Sequence, residues 1–256
     1  MNGADKRYFT EEGQLMLIKF ASVENFEGWT KFPSFIENLV MEHSLTRICE
    51  VGAGANPAIR PGFAESHGLI YTAIDNCNEE IEKSGMKEMS AVDICGVDVL
   101  LPEAPYDLIC SRMSAEHFDN SKAAYSNMFN ALSPGGLSVH CFATLYTLPF
   151  VFNRLLPEVV SDFILHYVQP ERDREMHDKF RAYYSHCRGP MKRQIRFFES
   201  IGYEVLEYRG YFGHSYYRRI PVLRGLEVFK TDLLLKRPCA FLTSYATIIL
   251  QRPLNV

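Results

Sequence analysis

The sequence predicts an open α/β sheet, mainly parallel, with helices on both faces. Three observations predict it. Short apolar runs alternate with helical stretches along most of the chain, the pattern of strands joined by helical crossovers. The first clear run, "TRICEV" (46–51), leads straight into the glycine turn "GAGANP". The length of 256 residues suits a single large domain, long enough to build a core without disulfides or metal.

Residues 1–45 read as an N-terminal helical segment. Over 13–43, "GQLMLIKFASVENFEGW" and "FPSFIENLVMEH" space their apolar residues at three and four. The cofactor-binding core runs over 46–143. "TRICEV" is its first strand and "LIYTAID" (69–75) its second, ending in an acid. "MSAVDI" (89–94) is the third, and "YDLICS" (106–111) is the fourth, followed by the helix "NSKAAYSNMFNAL" (120–132). "SPGG" (133–136) supplies the backbone freedom of a turn, and "LSVHCFA" (137–143) is the fifth strand. Residues 144–188 are too many for a plain loop and predict a helical cap inserted after strand five. Residues 189–256 add the helix "GPMKRQIRFFESIG", the strand "YEVLEYRG" (203–210) and a late strand within 241–250.

Composition narrows the function. A hydrophobic content of 47% and a charged content of 23% are those of an ordinary globular domain. The seven cysteines are scattered with no CxxC pair, which disfavours a zinc or dithiol site and predicts free thiols in a reducing cytoplasm. No signal peptide is evident, and the apolar stretch near the C-terminus is too short to span a bilayer. A net charge of −4 argues against a nucleic-acid partner. Residues 1–149 hold ten Lys and Arg against twenty Asp and Glu; residues 150–256 hold seventeen against eleven. The basic C-terminal part favours an anionic small-molecule acceptor, unless these charges merely form a solvated surface. Nothing in the sequence fixes an oligomeric state.

The glycine turn carries the chemistry. Gly52 and Gly54 lack the Cβ atoms that would keep a ligand off the backbone. A dinucleotide fingerprint needs a third glycine, and that position is Asn56-Pro57. Asn56 is suited to cap a helix whose first turn holds Pro57. Glu50, just before the turn, repels a pyrophosphate but can order a loop around a cationic ligand. Asp75, ending the second strand, is placed to accept from ribose hydroxyls. An adenosine bearing a sulfonium and an amino acid, without phosphate, satisfies both acids: S-adenosylmethionine (SAM).

Five blocks then stand in order: "CEVGAGANP", "IDNC" (74–77), "AVDIC" (91–95), "YDLICSRMSAEHF" (106–118) and "LSPGGLSVH" (132–140). In these the chain resembles the class I SAM-dependent methyltransferases, and within them the small-molecule group typified by quinone-biosynthesis methyltransferases. The resemblance implies a Rossmann-like seven-stranded sheet with its last strand antiparallel. It implies that Glu50, Gly52, Ala53 and Gly54 wrap the methionine part of SAM, with Asn56 in the departing third-glycine position. It also implies that Asp75 and Asn76 hold the ribose, that Asp93 and Ile94 flank the adenine, and that Ser111, Arg112 and Met113 pass beside the cofactor. The N-terminal aromatics Tyr8, Phe9, Trp29, Phe32 and Phe35 either fold over the cofactor, as in similar enzymes, or pack an amphipathic face.

Methyl transfer from a sulfonium requires alignment and exclusion of water more than any one group, and a base only for a protonated nucleophile. The candidate catalytic residues are His117 beside Glu116, Tyr183 and His186 in the cap, and His214 beyond the sixth strand. His117 is either the base or a structural histidine; His140, in strand five, reads as structural. Tyr184, Tyr216 and Tyr217 are candidate pocket walls, and Arg188, Arg218 and Arg219 candidate partners for an anionic acceptor. The leading expectation is SAM-dependent methyl transfer to a small-molecule oxygen or nitrogen, without metal. The alternatives are a binding or scaffolding protein of the same fold, and a nicotinamide-dependent oxidoreductase, which Pro57 counts against.

Overall fold

The structure, a computed structural model, describes residues 6–9, 15–84, 89–145, 181–217 and 220–255. Nine strands form one sheet: β1 (Lys6–Phe9), β2 (Leu15–Ser22), β3 (Arg47–Val51), β4 (Ile70–Asp75), β5 (Met89–Ala91), β6 (Tyr106–Arg112), β7 (Leu132–Ala143), β8 (Glu204–Phe212) and β9 (Tyr245–Gln251). Around it lie α1 (Phe32–His43), α2 (Pro61–Ser66), α3 (Asn78–Ser84), α4 (Ser121–Ala131), α5 (Lys192–Glu199) and α6 (Pro221–Lys236).

The sheet order is β1-β2-β8-β9-β7-β6-β3-β4-β5. Strands β5, β4, β3, β6 and β7 run parallel, and β9 is antiparallel to both β7 and β8. The expected Rossmann-like sheet with an antiparallel last strand is therefore present, but the described residues give it nine strands where seven were expected, because β1 and β2 extend the β8 edge. From β3 the chain winds outward through β4 to β5, then returns to β6 on the other side of β3. That reversal opens a crevice at the carboxyl ends of β3 and β6. In β3 and β4 every residue after the first is buried, as expected of central parallel strands covered on both faces.

Two local expectations are corrected. The first helical stretch expected within 13–43, "GQLMLIKFASVENFEGW", is instead the strand β2 over Leu15–Ser22, which pairs parallel to β8 and antiparallel to β1. Its run "LMLIKFAS" meets both periods, and burial decides for period two: Met16, Ile18 and Phe20 face the core, while Lys19 points away and bonds Glu207 at 3.0 Å. Helix α1 does form as expected, and ends on Ser44 in a left-handed conformation (φ 53°). The second correction concerns "SPGG", which is no free turn. It lies inside β7 as a register shift, where Tyr106 faces Leu132 but Leu108 faces Leu137.

Of the expected cap, residues 146–180 lie outside the described residues, as do Arg218, Arg219 and the side chains of Tyr8 and Phe9. Residues 181–188 are irregular chain and turn, so Tyr183 and His186 do not sit on a helix. Among the described residues, no helix is long and apolar enough to cross a membrane.

Candidate active site

Beyond Val51 the chain must leave the sheet and turn back across its end. The N–H groups of Gly52 and Ala53 both reach Ile74 O, at 2.8 and 3.2 Å, tying the turn to the end of β4. Gly52 and Gly54 are left-handed (φ 67° and 59°), which glycine adopts at little cost. A Cβ on Gly52 would run into Ser114 Oγ, so Ser114 packs directly on the bare backbone. Around Gly54 the space is open, with Glu80 Oε2 at 3.8 Å from a built Cβ.

Three carboxylates take up the N–H groups of this loop. Asp75 Oδ2 accepts from Gly54 N at 2.9 Å, Glu80 Oε2 from Ala55 N at 3.2 Å and Glu50 Oε2 from Ala58 N at 2.7 Å. The fully buried Glu50 also accepts from the Tyr71 hydroxyl, and burial pushes its carboxyl above the usual range. It orders the loop from beneath and does not face the crevice. The second oxygen of Asp75 accepts from Cys77 N at 2.9 Å, fixing the carboxylate at the end of β4 with one lone pair left on each oxygen.

From the other side, the Arg112 guanidinium donates to Asn56 O at 2.7 Å and lies 5.8 Å from the centroid of the Phe32 ring. Asn56 thus serves through its carbonyl and caps no helix. The helix is delayed to α2, with Arg60 as N-cap and Pro61 opening its first turn, because Pro57 and the carboxylate contacts hold 54–58 as irregular loop. Met113 is left-handed (φ 51°), with its N–H on Cys141 O at 2.7 Å. Ser111 is a correction. Its hydroxyl is buried against His140 Nδ1 at 2.7 Å, so the side chain faces the interior. His140 bridges on to Ser138 at 2.7 Å, and burial lowers its pKa to about 3; it is structural, as expected.

In the turn after β5, Asp93 is exposed and accepts from Cys95 N at 3.0 Å, while Ile94 is buried. Asn127 of α4 locks this turn, donating to Ile94 O and Gly96 O and accepting from Val99 N. Asn76 adjoins Asp75 at the surface. The sequence reading missed Asn127, Glu80 and Ser114. Nothing in "NEEIEK" separates Glu80 from its neighbouring acids, and Asn127 is remote in sequence from the loop it holds.

The candidate catalytic residues divide. His117 stays near the crevice in the short 3-10 turn after β6, its Nδ1 3.3 Å from Arg181 O. Tyr183 joins it, since Tyr183 N and Tyr184 N both donate to Glu116 O, at 2.8 and 2.9 Å. His186 is a correction: its ring stacks on Phe197 at 3.5 Å and its Nδ1 meets Ser121 Oγ at 2.8 Å, which makes it a packing residue. Burial, helped by Arg188 and Arg193, lowers its pKa. His214 packs toward α6, with Nε2 3.5 Å from Glu227 Oε2, and burial lowers its pKa to about 4. Arg188 is engaged by the carbonyls of Tyr184 and Cys187, at 2.6 and 2.9 Å.

Two features go beyond the sequence reading, which named Glu116 only beside His117. Glu116, 4% exposed, has its carboxyl pushed up by burial, and among the described residues its Oε2 meets no hydrogen-bond partner. A cavity of about 410 Å³ is lined by Val23, Trp29, Ser215 and Tyr245.

A parallel sheet with a glycine turn and an acid at the ends of its first two core strands defines a nucleotide-type cofactor fold. Residues 22–207 match a family described as methyltransferase domain. The chain belongs to that family: it is a SAM-dependent methyltransferase of class I. Among solved structures it is similar to a candidate sarcosine dimethylglycine methyltransferase from Galdieria sulphuraria, at 9% identity and a TM-score of 0.53 over 88% of this chain and 87% of that one. It is also similar to a SAM-dependent methyltransferase from Clostridium acetobutylicum, at 12% identity and a TM-score of 0.48 over 90% and 92%. A TehB-like enzyme from Corynebacterium glutamicum shares 13% identity with a TM-score of 0.46 over 84% and 86%. No curated protein matches the chain in sequence.

The residues present suit SAM. The N–H groups that would bind a pyrophosphate are already given to Asp75, Glu80 and Glu50, so an anion would find no donors there and would meet the acid of Asp75. A sulfonium cation meets the opposite field.

Proposed function

We propose that the enzyme methylates a small-molecule acceptor at oxygen or nitrogen. The observation that carries this reading is the donation of three loop N–H groups, at 54, 55 and 58, to acidic side chains. It leaves a cradle for a phosphate-free, cationic cofactor and none for a dinucleotide. Bound SAM supplies a methyl group made electrophilic by its sulfonium.

In this reading Asp75, joined by Asn76, accepts the ribose hydroxyls with its remaining lone pairs. Asp93 and Ile94 flank the adenine, the one polar and the other apolar. Gly52, Ala53 and Gly54 let the methionine part approach the backbone, while Glu50, Arg112 and Asn56 hold the loop in shape. Met113 and Ser114 form the floor between cofactor and acceptor. His117 and Tyr183, gathered by Glu116 at the crevice, orient the acceptor or take its proton. His214 acts at most from the α6 side, where its low pKa keeps the ring neutral at physiological pH.

Of the candidate partners for an anionic acceptor, Arg188 donates through one guanidinium nitrogen to the carbonyls of Tyr184 and Cys187, and Arg218 and Arg219 lie outside the described residues. The reading is tested by incubating the enzyme with labelled SAM and a panel of small hydroxyl and amine compounds. Label transfer to a panel member is expected; transfer only to protein or nucleic acid would overturn it.

A further inference from the structure

Helix α6 turns its apolar side outward. A surface helix ordinarily buries its apolar stripe and shows polar residues to water. In α6 the buried side chains are Glu227 and Leu234, with Thr231 half-buried between them. Glu227 Oε2 takes Lys230 Nζ at 2.7 Å and lies 3.5 Å from His214 Nε2, so much of the attachment is polar. Val222, Leu226, Phe229 and Leu233, by contrast, are 74, 61, 69 and 51% exposed. At 3.6 residues per turn these four fall within about 60° of arc, about 110° around the helix from Glu227 and Leu234.

Their spacing of four, three and four residues is that of a seam by which one helix sets knobs into the holes of another. The hole framed by Val222, Gly225, Leu226 and Phe229 is deepened by its glycine. A Cβ on Gly225 would meet nothing within 4 Å, so no packing among the described residues asks for glycine there. Yet glycine weakens a helix interior relative to alanine. Two α6 helices laid antiparallel about a two-fold axis between residues 227 and 228 place Phe229 of the second copy in this hole. The same register sets Leu226 against Phe229 and Val222 against Leu233. All four apolar side chains find partners, so the stripe complements itself.

The area agrees. The stripe, with Leu223 beside it, presents on the order of 500 Å² of apolar surface per copy. At the ~65% apolar share of homodimer interfaces, two such stripes make roughly 1,500 Å², a standard-size interface. The charges of α6 are mixed, with Arg224, Lys230 and Lys236 against Glu227 and Asp232, which suits a protein surface better than an anionic bilayer.

We propose that the outward stripe of α6 is a homodimer interface. A second copy of this chain docks antiparallel on Val222, Leu226, Phe229 and Leu233, and Phe229 of each copy fills the hole over Gly225 of the other. The proposal stands apart from the choice of methyl acceptor.

The test weighs the full chain by sedimentation equilibrium, from nanomolar to tens of micromolar, in excess S-adenosylhomocysteine (SAH) so that every sample carries the demethylated cofactor. Twice the chain mass is expected, with a micromolar or tighter dissociation constant. Phe229→Glu sets two like charges within the seam and should raise that constant about a hundredfold or more. Gly225→Leu fills the hole and should raise it about tenfold. Val228→Glu, at an apolar position 53% exposed but off the stripe, should leave the mass unchanged. A monomeric wild type overturns the proposal, as does a dimer that survives Phe229→Glu or one that Val228→Glu breaks equally. An unchanged constant in Gly225→Leu overturns the antiparallel pairing. A monomer that floats with phosphatidylserine vesicles gives the stripe to lipid and overturns the proposal too. Should Phe229→Glu fail to fold, Leu226→Ser carries the same test: a weakened dimer supports the interface, and an unchanged one overturns it.

Discussion

Gly54 donates its backbone N–H to Asp75 Oδ2 at 2.9 Å, so the turn after β3 and the acid ending β4 are parts of one device. The bond shapes the loop and uses only one lone pair of that oxygen. The same carboxylate can therefore hold the loop and accept a ribose hydroxyl.

Asp75→Ala removes both functions. SAH affinity is expected to fall by about 1.5–3 kcal/mol, the scale of a hydrogen bond to a charged group, with a further loss from the loosened loop. Asp75→Asn, which keeps an acceptor oxygen, should lose less. Calorimetry with SAH checks the order; equal affinity in all three proteins would remove Asp75 from the site.

Gly52→Ala is expected to be more damaging than Gly54→Ala. Both positions are left-handed, at a cost of roughly 1–2 kcal/mol for a residue with a Cβ. At 52 the methyl group also meets Ser114, while at 54 it enters open space. Thermal melts of the two variants, with and without SAH, check the ranking.

How much of this was legible in the sequence depends on the kind of feature. Gly52, Gly54 and Asp75 could be read because their residue types are forced by backbone geometry and by the end of a strand. Strand β2 could not, since "LMLIKFAS" satisfies two periods and only its pairing with β8 separates them. Ser111 and His186 were misread because chain position says where a residue sits, while packing against His140 and Phe197 decides where its side chain goes. Glu116 was overshadowed by the adjacent histidine, though its burial makes it the more unusual of the two.

His140 gives a pH signature. Its pKa falls from 6.5 to about 3 on folding because burial disfavours the charged ring. The unfolded chain thus binds more protons: this contribution is complete above about pH 6.5 and is lost as pH falls toward 3. His140→Phe removes that dependence and leaves the hydroxyls of Ser111 and Ser138 without the ring. It should cost about 2–4 kcal/mol at neutral pH. Between pH 6.5 and 4 its stability should fall less steeply than the wild type's, by up to ~1.4 kcal/mol per pH unit. Parallel curves from urea unfolding would contradict this.

Glu116 has the opposite sign. Burial raises its folded pKa above 4.5, so its contribution is present below that pH and is lost as pH rises through the raised value. Glu116→Gln should therefore gain stability relative to wild type as pH rises above 4.5. Melting temperatures of the two proteins measured upward from pH 4.5 check this; parallel curves would contradict it.

His117→Ala is expected to lower turnover about a hundredfold if the ring takes the acceptor's proton, with SAH affinity unchanged. A lowered melting temperature with normal turnover would instead assign His117 to holding Arg181 through its 3.3 Å contact.

The most direct measurement is a paired calorimetric titration of the purified protein with SAH and with NAD⁺. With its loop N–H groups committed to Asp75, Glu80 and Glu50, the protein should bind SAH tightly and NAD⁺ negligibly. Tight NAD⁺ binding with no heat from SAH would contradict the reading of this loop as a cradle for a cationic, phosphate-free adenosine.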